Sequence, residues 1–477
     1  MFAALASAVL VVSGCSASSG SHAPTAATRQ QLVRSTDVNV AHKDCAAQCT
    51  GTLDGARYEI RLPARWNGTL LIYSHGYRFA QPGPPDFGPA DTNAQVDSTD
   101  SDGSGRDALA KDLLARGYAL AGSSYKTNGW AVADGVKAGD ELHDRFVSLV
   151  GPAHRTYVWG DSLGGLITEL LAENYPGWVD GAAPMCGALA GPNLNFDAAL
   201  DVAFAVKTLI DPSLKLTGYT SSDDAAAQWK QAAQAVEAAA ADRAGGGTAK
   251  VLLVGDLVDA PLKSEMFDGS TVTSTVEALV ESILTALAFG TSGRYELEQR
   301  VGGDPSDNVK ADYDARVGAS EKSLISLAGG DTAALLAQLD SAPRVAANPK
   351  ARAAFEALGD ATGKLHAPTV TLHTEDDPLV LVANETIFGN RARAAGASGD
   401  LAQFYIAPPA TYPQNPGAPY GAGHCNFNNT QREALISTLD AWVRGGPTPT
   451  PTRAASAFGT GLDPYFIPGK WPSGATV

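Results

Sequence analysis

A serine lies between two glycines in residues 160–164, whose sequence GDSLG fits the pattern G-x-S-x-G. The preceding residues, 155–159, are rich in β-branched and aromatic side chains, which favours a strand. The following residues, 165–171, carry apolar side chains at helical spacing. A serine on a tight turn between a strand and a helix has an exposed hydroxyl, so we take Ser162 as the candidate nucleophile.

A serine hydroxyl is a weak nucleophile near neutral pH and needs a base within hydrogen-bonding distance. That base is typically a histidine, oriented by a carboxylate that also stabilises the imidazolium. In the α/β-hydrolases, which this turn resembles, the chain order is serine, acid, histidine. The histidines that follow Ser162 are His366, His373 and His424. Only His424 also follows the best acid candidate, so His424 is the predicted base.

The acid candidate is Asp377, in an acidic turn that follows a buried-strand pattern at residues 368–373. Functional side chains of parallel sheets collect at the carboxyl ends of the strands, and this turn begins at such an end. Asp376 and Glu375 are the rival acids. We prefer Asp377 because it directly precedes a proline within the turn.

Catalysis at Ser162 also requires donors for the negative charge that develops on the substrate oxygen. The backbone N–H of Leu163, directly after the nucleophile, is the first expected donor. The second should follow an earlier strand, which the apolar residues 69–74 predict. Hydrolases with a similar serine turn also turn the chain at a His-Gly pair in this position, a resemblance that makes the N–H of Tyr77 the second candidate. His75 itself is expected to make structural hydrogen bonds.

With these motifs in this order, the chain resembles the α/β-hydrolase superfamily over about residues 50–190 and 366–445. Residues 374–380 are similar to the family's G-x-x-D-x-x-V turn, with Thr374 in place of glycine. The resemblance implies an α/β fold in which helices flank a mostly parallel sheet and a Ser-Asp-His triad lies at the carboxyl ends of the strands. The letters GDSL also fit another hydrolase family, but its D-x-x-H motif follows the serine, whereas residues 140–143 precede it here.

A long insertion separates the two parts of this core and is mainly helical in pattern. Its clearest helix spans residues 274–289, opens with a capping box of Ser274 and Glu277, and ends at Gly290. In the superfamily that the chain resembles, a helical insertion at this position is a cap that covers the site and shapes it. The alternative is a stabilising side domain away from the site. The Pro-rich end of the chain predicts an extended strap. The predicted divisions are core 41–190, cap 191–365, core 366–445 and tail 446–477.

The start of the chain has the pattern of an export signal. Residues 2–12 form an apolar run that is too short to span a bilayer as a mature helix. They lead into the sequence VSGC, which resembles the cleavage box of bacterial lipoproteins. We therefore expect a signal peptide over residues 1–15, lipid attachment at Cys15, and a flexible tether over residues 16–40. The alternative is a plain secretion signal that is cleaved without lipid attachment. Either signal predicts an exported protein, extracellular or at the cell surface.

Four cysteines remain: Cys45, Cys49, Cys186 and Cys425. An even number in an exported chain suggests disulfides, and four cysteines allow three pairings. Cys186 follows a strand pattern and should lie at the same sheet edge as the candidate site, and Cys425 adjoins His424. We therefore expect a Cys186–Cys425 disulfide and a Cys45–Cys49 disulfide.

A cysteine beside the histidine is similar to a feature of tannase-like and feruloyl-esterase-like hydrolases. In those enzymes the partner cysteine directly precedes the nucleophile, whereas this chain has Asp161 there. The likeness to that subgroup is therefore partial. The spacing contains no C-x-x-C pair for zinc, so no metal site is predicted.

Composition limits the choice of partners. The 477 residues carry a net charge of −16, which argues against nucleic acid or an anionic membrane as a partner. Membrane contact is expected only through a lipid at Cys15, no cofactor motif is present, and the oligomeric state is open. The leading hypothesis is a serine hydrolase that cleaves small or polymeric carboxylic esters. The alternatives are an amidase or aminopeptidase with the same triad, and a non-catalytic surface lipoprotein on a hydrolase scaffold.

Overall fold

The computed structural model describes residues 44–88, 90, 96–99, 106–412 and 419–472. The expected signal peptide, Cys15 and the tether lie outside these residues. One sheet of eight strands organises the described part of the chain, in the order β1-β2-β4-β3-β5-β6-β7-β8. The pairings of β2 with β1 and β4 are antiparallel, and the others are parallel. The strands are β1 Gln48–Leu53, β2 Ala56–Arg61, β3 Thr69–Ser74, β4 Ala119–Ser123, β5 Arg155–Asp161, β6 Gly181–Met185, β7 Thr369–Thr374 and β8 Leu401–Ile406.

The helices lie between and after these strands. They are α1 Arg106–Ala115, α2 Val132–Leu149, α3 Leu163–Asn174, α4 Pro192–Leu209, α5 Ser222–Ala241, α6 Gly247–Asp256, α7 Val272–Ala288, α8 Arg294–Val301, α9 Ala319–Leu327, α10 Thr332–Ser341, α11 Pro349–Glu356, α12 Ala383–Ala394, α13 Asn429–Val443 and α14 Pro451–Phe458. A π-helical turn, Phe289–Gly293, joins α7 to α8, and short 3-10 turns lie at Asp314–Arg316 and Ser398–Asp400.

Helices cover both faces of the parallel strands. Residues of β3 are buried throughout, which explains the continuous apolar run in its sequence. Because successive side chains of a strand point to opposite faces, Leu70 and Ile72 join the core with α2 and α3. Leu71 and Tyr73 join the opposite core, with α1, α13 and α14. The sheet is therefore the middle layer of three, and this defines an α/β fold.

The helices α4 to α11 form an insertion between β6 and β7, and most of them share an apolar core of their own. Leu297 of α8 and Phe355 of α11 instead join the core that α2 and α3 form with the sheet. The chain leaves and returns at neighbouring strands, since the N–H of Cys186 donates to the carbonyl oxygen of Leu372 at 2.7 Å. Within the described residues, Val272–Val301 is long and apolar enough to cross a membrane by length and composition. Its apolar side chains, Leu279 and Ile283 among them, pack in the insertion's core, and core helices of soluble proteins pass the same test.

The main helix of the insertion differs from the prediction at both ends. It begins at Val272, because the side chain of Thr271 accepts the N–H of Ser274 and takes the capping position predicted for Ser274. It continues past Gly290 through the π-helical turn. A Cβ at Gly290 would lie 3.2 Å from the carbonyl oxygen of Ala199, so this glycine allows α4 to approach closely.

The tail also differs from the extended strap that its prolines predict. Thr450 caps a helix that starts at Pro451, a position where the fixed φ of proline suits the first turn. Phe458, at the end of this helix, is buried and packs against Phe404 of β8 with ring centroids 5.3 Å apart. After the helix, Leu462 pairs with the end of β8 and covers part of the sheet edge.

Candidate active site

Ser162 occupies a sharp turn between β5, which ends at Asp161, and α3, which begins at Leu163. Its backbone has φ 58° and ψ −125°, a conformation that residues other than glycine rarely adopt. The turn is held by the N–H of Ser162, which donates to the carbonyl oxygen of Met185 at 3.0 Å. The strained backbone lifts the hydroxyl of Ser162 away from both elements.

The two glycines of the G-x-S-x-G pattern are required by close backbone contacts. A Cβ at Gly160 would lie 2.3 Å from the carbonyl oxygen of Ser74, and one at Gly164 would lie 2.0 Å from it. Either side chain would push β3 away from the turn. The motif therefore encodes the packing of strand and helix around Ser162 as well as its conformation.

The structure brings the predicted base and acid to Ser162. The hydroxyl of Ser162 donates to Nε2 of His424 at 2.8 Å, and Nδ1 of His424 donates to Oδ2 of Asp377 at 2.7 Å. With Nδ1 protonated, Nε2 of the neutral imidazole is free to accept a proton from the serine. This geometry meets the hydrogen-bonding requirement for a nucleophile, a base and an orienting acid.

The carboxylate of Asp377 is fully buried and its charge is stabilised on both oxygens. Oδ1 accepts the N–H groups of Leu379 and Val380, each at 2.9 Å. Burial alone would raise the pKa of Asp377, but the charge of His424 and contacts with His424 and His373 lower it to about 2. Asp377 is therefore an anion across the neutral pH range.

The rival acids lie in the same turn, and their environment differs from that of Asp377. Burial raises the pKa of Asp376 to about 6, although Lys263 opposes the shift. Burial and the neighbouring acids raise the pKa of Glu375 to about 7. The turn thus places one ionised carboxylate on His424 and directs the other two acids elsewhere.

The loop that carries His424 is held at several points. Thr374 Oγ1 donates to the carbonyl oxygen of Gly423 at 2.7 Å, and the N–H of Gly423 donates to the carbonyl oxygen of Asp376 at 3.1 Å. The next residue, Cys425, forms a disulfide with Cys186 at the end of β6, with Cα atoms 5.5 Å apart. These contacts fix the imidazole over the sheet edge.

Both disulfides that the sequence predicts are present, Cys186–Cys425 and Cys45–Cys49. Asp161, at the position where tannase-like enzymes carry the partner cysteine, instead accepts a hydrogen bond from the hydroxyl of Tyr73. Asp161 pairs in register with Met185, directly before Cys186. The crosslink therefore reaches the neighbourhood of the nucleophile from the adjacent strand. Both sulfur atoms at His424 are used in this bond, so they offer no thiolate to a metal ion.

The two proposed oxyanion donors belong to residues near the serine, in α3 and in the loop after β3. Leu163 is the first residue of α3, and the first N–H groups of a helix have no intrahelical acceptor. A Cβ at Gly76 would lie 3.2 Å from the Cβ of Ser162, so the loop before Tyr77 contacts the turn directly. Tyr77 and Leu163 both line the cavity that Ser162 faces. His75 stacks on Tyr125, with ring centroids 3.9 Å apart, in a structural position.

Ser162 opens into a cavity of about 80 Å³ between the sheet and the insertion. Its walls come from α4, α7, the turn after Asp377 and the Trp130 loop, and among the described residues that line it none is charged. They are Tyr77, Trp130, Ser162, Leu163, Ala188, Asn195, Phe196, Ala198, Ala199, Val202, Val258, Ala260, Ser282, Ile283, Ala286, Phe289, Pro378, Leu379, Val380 and Leu381. The site is therefore suited to a small, neutral and mainly apolar group.

A buried pair behind the acid was not foreseen from the sequence. His373 donates from Nε2 to the carbonyl oxygen of Val380 at 2.8 Å, and its Nδ1 lies 3.2 Å from Oε1 of Glu385. Both side chains are fully buried. The available signal was a histidine within a buried-strand pattern, close before the acidic turn. Its partner on α12 follows twelve residues later, and no local spacing points to it.

Strand order, the serine turn between β5 and α3, and the order of Ser162, Asp377 and His424 together decide the architecture. The chain has the α/β-hydrolase fold. No family model matches the chain, and no curated protein matches its sequence.

Several solved structures of hydrolases are similar at low identity. Feruloyl esterase B from Aspergillus oryzae is 14% identical, with 87% of this chain and 86% of that one covered and a TM-score of 0.43. An esterase from Aspergillus oryzae is 14% identical, with 84% and 80% covered and a TM-score of 0.38. Proline iminopeptidase from Mycobacterium smegmatis is 14% identical, with 83% and 97% covered and a TM-score of 0.33.

Proposed function

We propose that this protein is an exported serine hydrolase that cleaves carboxylic esters through an acyl-enzyme intermediate. The observation that carries the proposal is the continuous hydrogen-bonded chain from Ser162 through His424 to Asp377, with distances of 2.8 and 2.7 Å. The chain of hydrogen bonds ends at a neutral cavity that can receive an acyl group. A scaffold protein without activity would not need this arrangement.

In the first half of the reaction, Ser162 Oγ forms a bond to the acyl carbon while His424 Nε2 takes the hydroxyl proton. The N–H groups of Leu163 and Tyr77 stabilise the negative charge on the carbonyl oxygen. The C–O bond to the alcohol breaks as His424 returns the proton to the leaving oxygen. A water molecule then attacks the acyl carbon of the acyl-enzyme by the same steps, which breaks the bond to Ser162 Oγ and releases the carboxylic acid product. Asp377 stays ionised throughout and stabilises the imidazolium.

The lining of the cavity favours esters with an apolar acyl group over peptide substrates. An aminopeptidase needs a carboxylate to bind the charged amino end of its substrate, and the described lining residues supply none. Glu265, in the insertion, lies against Gly423 of the histidine loop, but it is exposed and stands outside the cavity lining. The volume of about 80 Å³ is small beside the roughly 300–1,000 Å³ of pockets for drug-sized ligands, so we expect short acyl chains.

Export and lipid attachment at Cys15 belong to the same proposal. Two disulfides are consistent with an oxidising compartment. Globomycin sensitivity of processing, and a shift of the mature protein to the detergent phase, would support attachment. A mature soluble form that begins at another residue would leave export in place and remove the lipid anchor.

The test of the nucleophile is labelling by a fluorophosphonate probe, which reacts with activated serines. The wild-type protein should label, Ser162→Ala should not, and turnover of p-nitrophenyl butyrate should fall by several orders of magnitude. Ser148→Ala, an exposed serine on α2, is the matched control and should behave like the wild type. Equal labelling of the Ser162→Ala protein would refute the assignment. Faster cleavage of peptide than of ester substrates would favour the aminopeptidase alternative.

A further inference from the structure

We propose that His373 is a positioning residue for the catalytic acid, a buried imidazolium held between Asp377 and Glu385 that tunes the base strength of His424. The inference rests on the proposed function and deepens it. It assigns a role to a charged group that does not touch the substrate and that the triad chemistry leaves unused.

The hydrogen bonds of His373 determine where its protons lie. Its Nε2 is 2.8 Å from the carbonyl oxygen of Val380, and a carbonyl oxygen can only accept, so Nε2 carries a proton. Its Nδ1 is 3.2 Å from Oε1 of Glu385. An ionised carboxylate also only accepts, so Nδ1 is protonated when Glu385 is ionised.

The side chain of Glu385 is held on both oxygens by polar neighbours. Its second oxygen, Oε2, accepts the hydroxyl of Thr371 at 2.7 Å and the amide of Gln403 at 2.6 Å. Two donors on one oxygen and an imidazole on the other stabilise a carboxylate. Burial would lower the pKa of His373, but the contacts and charges of Asp377 and Glu385 raise it above its usual value. Hydrogen bonding and charge therefore agree on an imidazolium.

The other titratable groups around this cluster do not replace His373. Glu169 of α3 is fully buried, and neither of its oxygens has a hydrogen-bond partner among the described residues. Burial and the charges of Glu173 and Glu385 raise its pKa, so it stays neutral. Tyr405, the register partner of His373 on β8, is neutral as well, because burial raises its pKa.

His373 acts on the catalytic acid in two ways. Its Nε2 donates to the carbonyl oxygen of Val380, and the N–H of Val380 donates to Oδ1 of Asp377. His373 therefore helps to fix the turn that orients the acid. Its positive charge lies 3.5 Å from Oδ2 of Asp377, the oxygen that also binds His424. The cation competes with the imidazolium of His424 for that oxygen. Without it, protonated His424 would gain stability and fewer molecules would hold a free base below neutral pH.

The first experiment reads the protonation state directly in the wild-type protein. Nitrogen-15 NMR of labelled histidine should show one histidine with both ring nitrogens protonated through neutral pH, and the signal should be missing in His373→Gln. A neutral His373 at neutral pH would overturn the proposal. This measurement does not require activity. It therefore tests the role of His373 separately from the hydrolase function, which is refuted if Ser162 does not react with the fluorophosphonate probe.

The second experiment is the pH profile of kcat/KM. In His373→Gln the acid limb should move to higher pH by about one unit, with KM nearly unchanged. Thr371→Val removes a hydrogen bond of the same cluster but no charge, so its limb should stay in place. A uniform loss of activity at every pH in His373→Gln, with no movement of the limb, would indicate a merely structural role and refute the proposal.

Discussion

Replacing Asp377 with asparagine tests the triad most sharply, because the surrounding donors dictate how the new amide must lie. Oδ1 of Asp377 accepts two backbone N–H groups, from Leu379 and Val380, at 2.9 Å each. An asparagine must keep its oxygen towards these two donors, since its NH₂ group would face them without an acceptor. Its NH₂ group then points at Nδ1 of His424.

That orientation inverts the histidine. Nδ1 of His424 would accept from the amide and lose its proton, so Nε2 would carry the proton and could no longer accept one from Ser162. The contact between Oδ2 and His373 at 3.5 Å opposes the NH₂ group on that side, but it is one long contact against two hydrogen bonds of normal length. We expect turnover to fall by about 10⁴, as when an analogous triad acid is replaced. This corresponds to about 5.5 kcal/mol of transition-state stabilisation.

The measurement is kcat for a chromogenic ester together with fluorophosphonate labelling, and Asp376→Asn is the matched control. Asp376 adjoins Asp377, but it contacts the histidine loop through its carbonyl oxygen, which its side-chain change leaves in place. The control should retain activity within about tenfold of the wild type. Comparable losses in both variants, or a loss confined to Asp376→Asn, would show that the argument from the two backbone donors is wrong.

Two further predictions concern the crosslink and the cavity. Paired alanine substitutions at Cys186 and Cys425 remove a crosslink between residues 239 apart in sequence, which lowers the free energy of unfolding by about 5 kcal/mol by chain entropy. We expect kcat to be lower even in protein that circular dichroism shows to be folded. The same change at Cys45 and Cys49 should leave kcat nearly unaltered, and the reverse ranking would contradict this reasoning. Ile283→Ala enlarges the cavity, so the ratio of p-nitrophenyl octanoate to butyrate turnover should rise, at a cost of about 2–4 kcal/mol in unfolding free energy. An unchanged ratio in a folded protein would place the acyl group elsewhere.

The sequence was most informative where the chain obeys short-range geometry. The turn at Ser162 needs small neighbours, and Gly160 and Gly164 lie where a Cβ would meet the carbonyl of Ser74. That requirement is local and leaves a readable pattern. The same holds for the buried strand before Asp377 and for the glycine before His424, which has φ 85°. Chain order and topology then bring these three sites together.

Features that depend on distant contacts could not be read in advance. Ser274 and Thr271 are both suitable capping residues, and in the structure Thr271 caps α7. A glycine at position 290 is typical of a helix end. In the structure Gly290 instead allows α4 to approach closely, a contact that the sequence does not reveal. The pairing of His373 with Glu385 joins a strand to a helix through the interior of the core, and no periodicity marks it.

The separation of sheet and insertion has a consequence for how the protein can change. The chemical groups follow β5, β7 and β8, and parallel strands present their carboxyl ends at one edge. The insertion leaves after β6 and returns at β7, two strands that are already paired through Met185 and Leu372. Its size can therefore vary without moving Ser162 relative to His424. Substitutions in α4 and α7 should change which acyl group is accepted, whereas those around Asp377 and His373 should change the rate and pH dependence for every substrate alike.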